Sequence, residues 1–281
     1  MIITQTREEL ARILQKEREK GHKIGFAPTM GALHEGHISL IEASKKSTDV
    51  TVCSIFVNPT QFNDPKDLER YPRMPEKDAQ MLEKAGCDIL FLPSVKEIYP
   101  EPDKRVFDFG MLDKVLDGAH RPGHFNGVGQ VVSILFDCVK PDKAFFGTKD
   151  YQQLLIIKEL VRQLKLNIEV IGCPIFREPD GLAMSSRNML LNAEERKAAS
   201  LIPTVMKDAK KLKESGRSIG EIHDLVVQKF SKDPIYKMDY YEICNASTLL
   251  PLDSLNKGVK SISLIAVFVG KIRLIDNLAL D

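Results

Sequence analysis

Between residues 23 and 57 the sequence runs through an apolar stretch, a glycine-containing turn, a helical pattern and a second apolar stretch, and that order leaves few folds open. Lys23-Ile-Gly-Phe-Ala27 reads as a short buried strand, and Pro28, which cannot donate to a sheet ladder, is expected to end it. Ile38, Leu40, Ile41 and Ala43 recur at helical spacing as far as Lys46. Residues 50–57, Val-Thr-Val-Cys-Ser-Ile-Phe-Val, form a second strand. A β–α–β unit of this kind opens a doubly wound parallel sheet. Such sheets bind ligands beyond the carboxyl ends of their strands.

The turn inside that unit, Pro28-Thr-Met-Gly-Ala-Leu-His-Glu-Gly-His37, therefore sits where a ligand is expected. Gly31 and Gly36 let the backbone turn tightly or approach a ligand closely. His34 and His37 are three apart, so a helix begun by His34 carries both imidazoles on one face of its first turn. Unsatisfied N–H groups and the positive dipole end favour anions there. Two imidazoles at such a site suit a phosphate that gains charge as a bond breaks. A zinc pair fits less well, because helical zinc ligands are more often four apart and need further ligands. Two surface histidines in a loop are the plain alternative.

The same strand-end chemistry recurs along the chain. Asn58-Pro-Thr-Gln61 follows the second strand and offers neutral amides to a small polar substrate. Residues 143–146 read as another strand, ending in Gly147-Thr-Lys149-Asp150, where Lys149 can neutralise phosphate charge and Asp150 can hold a metal–water or cap a helix. Met184-Ser-Ser-Arg187 brings two hydroxyls and a guanidinium to a further phosphate clamp. His120-Arg-Pro-Gly-His124 is a second basic loop, with Arg121 and His124 suited to a carboxylate or phosphate. Helices are expected at 8–20, 75–85, 128–139, 151–164, 193–214 and 219–232, and further strands at 88–92, 168–172, 236–244 and 261–269. Residues 94–117 show no clear pattern. From about Phe176 the strand-end turns give way to helices followed by strands, which marks a smaller α+β domain. The expected domains are 1–175 and 176–281.

Composition narrows the function classes. A net charge of +1 gives no reason to expect nucleic acid as a partner. Five scattered cysteines without a close pair fit small core residues in a reducing compartment. No apolar run reaches membrane-spanning length, and the first residues lack a signal-peptide core, so a cytoplasmic protein without a membrane partner is expected.

Taken together, these segments resemble the pantothenate synthetase (pantoate–β-alanine ligase) family. The matching stretches are 28–37, Ser-Ile-Phe-Val-Asn-Pro-Thr-Gln-Phe (54–62), Arg-Tyr-Pro-Arg (70–73), Arg-Pro-Gly-His-Phe-Asn-Gly-Val (121–128), Phe-Gly-Thr-Lys-Asp-Tyr-Gln-Gln (146–153), Asp-Gly-Leu-Ala-Met-Ser-Ser-Arg-Asn (180–188) and Leu-Ile-Asp-Asn (274–277). They cover nearly the whole chain in the family's order and spacing; Thr148, where Glu or Gln is expected, is a minor departure. The resemblance implies an α/β fold, a Rossmann-like doubly wound parallel sheet of nucleotidyltransferase type with a smaller C-terminal α+β domain, and a homodimer. It implies ATP as substrate, Mg²⁺ as cofactor, and the ligation of pantoate with β-alanine through a pantoyl adenylate. It assigns ATP binding to Met30, Gly31, Ala32, Leu33, His34, Glu35, Gly36 and His37, then to Gly147, Thr148, Lys149 and Asp150. Phe176, through its backbone, and Met184, Ser185, Ser186 and Arg187 complete that set. His37, His34 and Lys149 become the catalytic groups, with His37 the proton donor, and Asp150 is the metal candidate. Gln61 and Gln153 are carried over as pantoate ligands, with Asn58 and Tyr71 as helpers. The 184–187 segment corresponds to a mobile loop of the wider superfamily and is expected to close over the phosphates. An adenylating enzyme for another acid, or a nucleotide sensor, are the competing readings; the amides at 58–61 and 152–153 argue against the first, and His37 with Lys149 against the second.

Overall fold

The computed structural model of the chain describes residues 1–255 and 258–281. The first elements are β1 (Ile2–Thr4), α1 (Arg7–Glu19), β2 (Ile24–Thr29), α2 (Glu35–Lys45), β3 (Val50–Ile55), α3 (Pro65–Arg70), α4 (Pro75–Lys84), β4 (Ile89–Phe91) and α5 (Val95–Ile98). Next come α6 (Asp117–His120), α7 (His124–Val139), β5 (Lys143–Gly147), α8 (Tyr151–Gln163) and β6 (Glu169–Cys173). The chain finishes with α9 (Ala193–Ala199), α10 (Leu201–Glu214), α11 (Ile219–Phe230), β7 (Tyr236–Asn245), β8 (Ser261–Val269) and β9 (Ile272–Ala279). Contacts divide these elements into two units. The first is Met1–Phe109 with Arg121–Thr148 and Gln153–Pro174; the second is Ile175–Asp281 with Gly110–His120 and Lys149–Gln152.

The first unit holds a six-stranded sheet in the order β1-β4-β3-β2-β5-β6, parallel throughout. From β2 the chain steps outward through β3 to β4, then crosses to the other side of β2 with β5 and β6. The order therefore reverses between β2 and β5, and a crevice for ligands opens at that point beyond the strand ends. All six residues of β3 are buried, as expected for a parallel strand covered on both faces. Side chains alternate along β2. Phe26 meets Phe136 of α7 edge-on, with ring centroids 6.3 Å apart, while Ala27 packs with Leu40 and Ile41 of α2 and Leu82 of α4. Each such leucine, isoleucine or phenylalanine side chain stabilises the fold by about 1.5–3 kcal/mol on full burial.

The second unit has an antiparallel sheet in the order β7-β8-β9. Val205, Met206 and Ala209 of α10 and Ile222, Val226 and Phe230 of α11 bury themselves against Tyr241, Ile243, Ile265 and Val267. The segment Gly110–His120 is tied to this unit by polar contacts. Gln152 accepts from the Asp117 N–H (3.0 Å) and donates to the carbonyls of Leu112 (2.7 Å) and Val115 (2.8 Å). The Asp117 carboxylate receives Arg273 at 2.6 Å and the Tyr240 hydroxyl at 3.1 Å.

Several local expectations need correction. Pro28 lies within β2, paired with Ser54, and does not end the strand. Because β5 pairs with β2 only at Gly25 and Phe26, the missing Pro28 N–H leaves no gap on that side. Helix α2 starts at Glu35, three residues before the apolar spacing begins, and β3 stops at Ile55. The helix expected over 193–214 breaks at Ser200 into α9 and α10. Pro203 explains the break: it is the third residue of α10, where a helix has no intrahelical use for an N–H. Strands β1 and β9, helix α3 and the short helix α5 within the unassigned 94–117 stretch were not expected.

Candidate active site

In the first unit the turn after β2 is built around a residue that sequence reading passed over. Asp78 of α4 is buried and accepts the backbone N–H groups of Ala32 (2.9 Å) and Leu33 (2.8 Å). Burial pushes its carboxyl above the ordinary aspartate value, while those two N–H bonds pull it back. Gly31 and Ala32 both adopt positive φ, +82° and +49°. A side chain at Gly31 would sit 3.0 Å from both Asp78 and Ile55, so glycine meets two demands there, the left-handed backbone and the close approach. A single aspartate on a charged helix carries no sequence signal of this role, because the role exists only once α4 packs under the turn.

His34 and His37 then form the entrance to α2. His34 is the N-cap; its Nδ1 accepts the Gly36 N–H at 3.2 Å, and His37 Nδ1 accepts the His34 N–H at 3.3 Å. The two rings lie 4.0 Å apart at 33°. With both Nδ1 atoms accepting, the neutral rings carry their protons on Nε2, so each presents an N–H donor at the positive end of a helix. The expected shared face is thus realised by a reciprocal cap with His34 just outside the helix.

The turn after β3, a 3₁₀ segment over Pro59–Gln61, carries Gln61 beside this site: its amide nitrogen lies 3.3 Å from the sulfur of Met30, the residue after β2. Gln61 Oε1 accepts from Asn58 Nδ2 at 3.0 Å. Asn58 is buried, and its groups are engaged by protein: Nδ2 also donates to the Gly127 carbonyl (3.1 Å), and Oδ1 accepts from the Thr60 hydroxyl (3.1 Å) and the Tyr99 hydroxyl (2.9 Å). Burial raises the pKa of Tyr99, which keeps it a donor. His124 is also turned inward. Arg121 donates to its Nε2 (3.1 Å), so Nδ1–H donates to the Gln61 carbonyl (2.8 Å). Tyr71 is buried with its ring edge-on to Phe62, centroids 5.8 Å apart. Gly147 closes β5 at the same sheet rim, Thr148 follows it, and Gln153 is half-buried in the first turns of α8.

In the second unit Lys149 and Asp150 occupy the 3₁₀ turn before α8. Lys149 Nζ lies 3.7 Å from the exposed Asp150 carboxylate, and the Lys149 carbonyl accepts from Asn277 Nδ2 at 2.8 Å. Phe176 to Met184 form a hairpin: the Met184 N–H donates to the Phe176 carbonyl (3.0 Å), Arg177 bridges Ala183, and the Phe176 ring is 42% exposed. Ser185 caps the 3₁₀ segment Ser186–Leu190 by accepting the Arg187 N–H at 3.3 Å. The hairpin is anchored from below. Arg177 makes a two-pronged pair with buried Asp276 (2.8 and 2.9 Å), and Arg196 joins Glu178 and Asp180. Sequence reading missed these anchors; the hints were Asp276 within the 274–277 match and Asp180 at the head of the 180–188 match.

Among the described residues no group of three or more His, Cys, Asp or Glu side chains could hold a metal. No helix among them is long and apolar enough to cross a membrane.

Comparison with known proteins identifies the family of the chain. The family model described as pantoate-beta-alanine ligase matches residues 2–279. The chain is 46% identical to pantothenate synthetase of Bacteroides thetaiotaomicron over 278 residues, 99% of this chain and 98% of that protein. The crystal structure of pantothenate synthetase from Thermus thermophilus is similar with a TM-score of 0.93 and 41% identity, covering 100% of this chain and 99% of the other. A Francisella tularensis pantoate-beta-alanine ligase, solved as a complex with beta-gamma ATP and beta-alanine, is similar with a TM-score of 0.84 and 37% identity, covering 100% and 98%. The chain belongs to the pantoate–beta-alanine ligase family.

Proposed function

We propose that this chain ligates pantoate to β-alanine, forming pantothenate while ATP is cleaved to AMP and pyrophosphate. The observation that carries the reading is the pair of imidazole donors capping α2 at the sheet's switch point, in a chain related over its full length to pantothenate synthetases. A free carboxylate is a poor acyl donor, since its leaving group would be oxide. A pantoate carboxylate oxygen therefore attacks the α-phosphorus of ATP; the new O–P bond forms as the bond to pyrophosphate breaks. The β-alanine amine then attacks the acyl carbon, AMP leaves with the bonding pair, and the amine gives up a proton. Both steps place charge on phosphoryl oxygens, so catalysis is mainly positioning and charge stabilisation.

Each assigned residue has a role in that scheme. His34 and His37 donate Nε2–H bonds to phosphoryl oxygens, reinforced by the helix end. Met30 to Glu35 and Gly36 line the ATP with backbone, as do Gly147 and Thr148, and Lys149 neutralises the developing charge. Ser185, Ser186 and Arg187 clasp phosphate, flanked by Met184 and Phe176, and close over it when ATP binds. Gln61 and Gln153 read the oxygens of pantoate; Tyr71 shapes the pocket, and Asn58 acts through Gln61. Asp150, exposed and single, fits a Mg²⁺ held mostly by ATP phosphates, as such ions commonly are, rather than a protein cage. Bound there, the ion would neutralise phosphate charge. The same proposal takes 1–175 as the catalytic domain, binding ATP and pantoate, and 176–281 as a smaller domain that carries the 184–187 ATP loop. A homodimer in the cytoplasm completes it, supported by the family resemblance and testable by light scattering.

The test is product formation by the purified protein with ATP and Mg²⁺. AMP and pantothenate appearing only when pantoate and β-alanine are both present supports the reading. ATP turnover indifferent to pantoate would overturn it.

A further inference from the structure

The amide of Gln61 can face its substrate either as a donor or as an acceptor, and a chain of hydrogen bonds decides which. The Gly127 carbonyl can only accept, so the group of Asn58 that meets it at 3.1 Å must be the NH₂. That same NH₂ lies 3.0 Å from the Gln61 side chain, which must answer with its oxygen. The Gln61 NH₂ is thereby turned away from Asn58 and towards Met30 at the end of β2, where its present partner is a thioether sulfur, a weak acceptor. Two further groups hold the chain in place. The Tyr99 hydroxyl donates to the Asn58 oxygen at 2.9 Å, and His124 donates to the Gln61 backbone carbonyl at 2.8 Å.

We propose that Tyr99 and His124 are positioning residues for Gln61, acting through Asn58 and through the Gln61 carbonyl, and that together they fix Gln61 as a hydrogen-bond donor to an acceptor oxygen of the acid substrate. The proposal rests on the reading of Gln61 as a pantoate ligand. It adds two residues that touch no substrate and specifies the polarity of the contact. A substrate oxygen displaces the sulfur as the better acceptor. An amide held in one orientation also penalises an analogue whose group at that place is itself a donor.

Four variants test it by steady-state kinetics, each checked by thermal melting. Tyr99→Phe removes one hydroxyl and should raise KM for pantoate about 3–10-fold, the range of one lost hydrogen bond, with KM for ATP within twofold. His124→Leu should raise KM for pantoate more than Tyr99→Phe, and His124→Asn, whose NH₂ falls near the place of Nδ1–H, should recover most of the loss. Gln61→Glu keeps the size and the bond from Asn58 but offers no donor, and should lower kcat/KM for pantoate by about two orders of magnitude or more, since it leaves a charge against an acceptor. Tyr99→Phe and His124→Leu leaving pantoate KM within twofold, or raising KM for ATP equally, would overturn the positioning roles. Gln61→Glu retaining near-normal kcat/KM would overturn the polarity. If His124→Leu does not fold, Tyr99→Phe decides. Wild-type protein that turns over no pantoate would defeat the ligase reading and this proposal with it; normal wild-type turnover with indifferent variants defeats the proposal alone.

Discussion

Gly127→Ala should separate the stability of this fold from the alignment of its site. An alanine Cβ at residue 127 would lie 2.5 Å from the Thr60 carbonyl oxygen, 2.7 Å from the Thr60 carbonyl carbon and 2.9 Å from the Gln61 nitrogen. These are backbone atoms, so no side chain can swing aside, and the turn over Pro59–Gln61 must retreat from α7. A shift of about 0.7–1 Å restores ordinary contact, and it stretches both bonds that span the gap, Asn58 to the Gly127 carbonyl (3.1 Å) and His124 to the Gln61 carbonyl (2.8 Å). Overpacking of this kind costs about 1–3 kcal/mol, and the gain of alanine over glycine inside a helix offsets about 1 kcal/mol of it. Net destabilisation is then at most about 2 kcal/mol, which a protein of this size survives. Misplacing a substrate-orienting group by about 1 Å can lower the rate by up to about 100-fold, or about 2.7 kcal/mol. The expected result is a folded enzyme with a modest fall in Tm and kcat/KM for pantoate reduced about 10–100-fold. Gly129→Ala is the control. Two residues along the same helix, its Cβ would first meet the rings of Phe107 and Phe109 at 3.0 Å, side chains and not the Pro59–Gln61 turn, so it should disturb stability and spare pantoate use. Equal kinetic losses in the two variants, or Gly127→Ala within twofold of wild type, would refute transmission through the turn.

Other outcomes follow from the site and its supports. His37→Ala should slow adenylation by about 10²–10³-fold while ATP binding changes little, measured by single-turnover kinetics and titration; an unchanged rate removes His37 from the chemistry. Asp276→Ala takes both carboxylate bonds from Arg177 beneath the 176–184 hairpin, leaving it the Gly181 and Asn277 carbonyls, and should lower stability by about 1.5–3 kcal/mol in denaturant titration. Arg196 holds the Asp180 carboxyl below the ordinary value, so that pair adds stability above pH about 4 and loses it as pH falls through the lower folded pKa. The pair is about a third exposed, which limits the effect to under about 1 kcal/mol; Asp180→Asn should flatten the acid limb of the stability curve by that amount.

What sequence could and could not reveal divides on physical lines. The unit from β2 to β3 was legible because its signals are local: apolar strand residues, helical spacing and a glycine turn between them. The 3.6-residue pattern could not show that α2 starts at Glu35, since its first turn, Glu-Gly-His, is polar and held by a histidine cap rather than by burial. Strand β1 has three residues and buries only Thr4, too little for any periodicity. Strand β9 hides because its buried positions include Asp276 and Asn277, polar residues that become interior only when Arg177 and Lys149 supply partners. The same reason conceals Asp78 and Tyr99. Each acts on backbone or side chains distant in sequence, and neither has a distinctive neighbour. The ligand-facing candidates were readable because glycine, histidine and serine cluster in short turns; the residues that brace those turns are scattered one to an element.

In the proposed reaction pantoate is activated as an adenylate before β-alanine reacts. Pyrophosphate–ATP exchange, followed with labelled pyrophosphate, tests it most directly. The expected result is exchange that requires pantoate, proceeds without β-alanine, and falls sharply in His37→Ala. Exchange without pantoate, or none with pantoate while pantothenate still forms once β-alanine is added, would contradict an adenylate formed first.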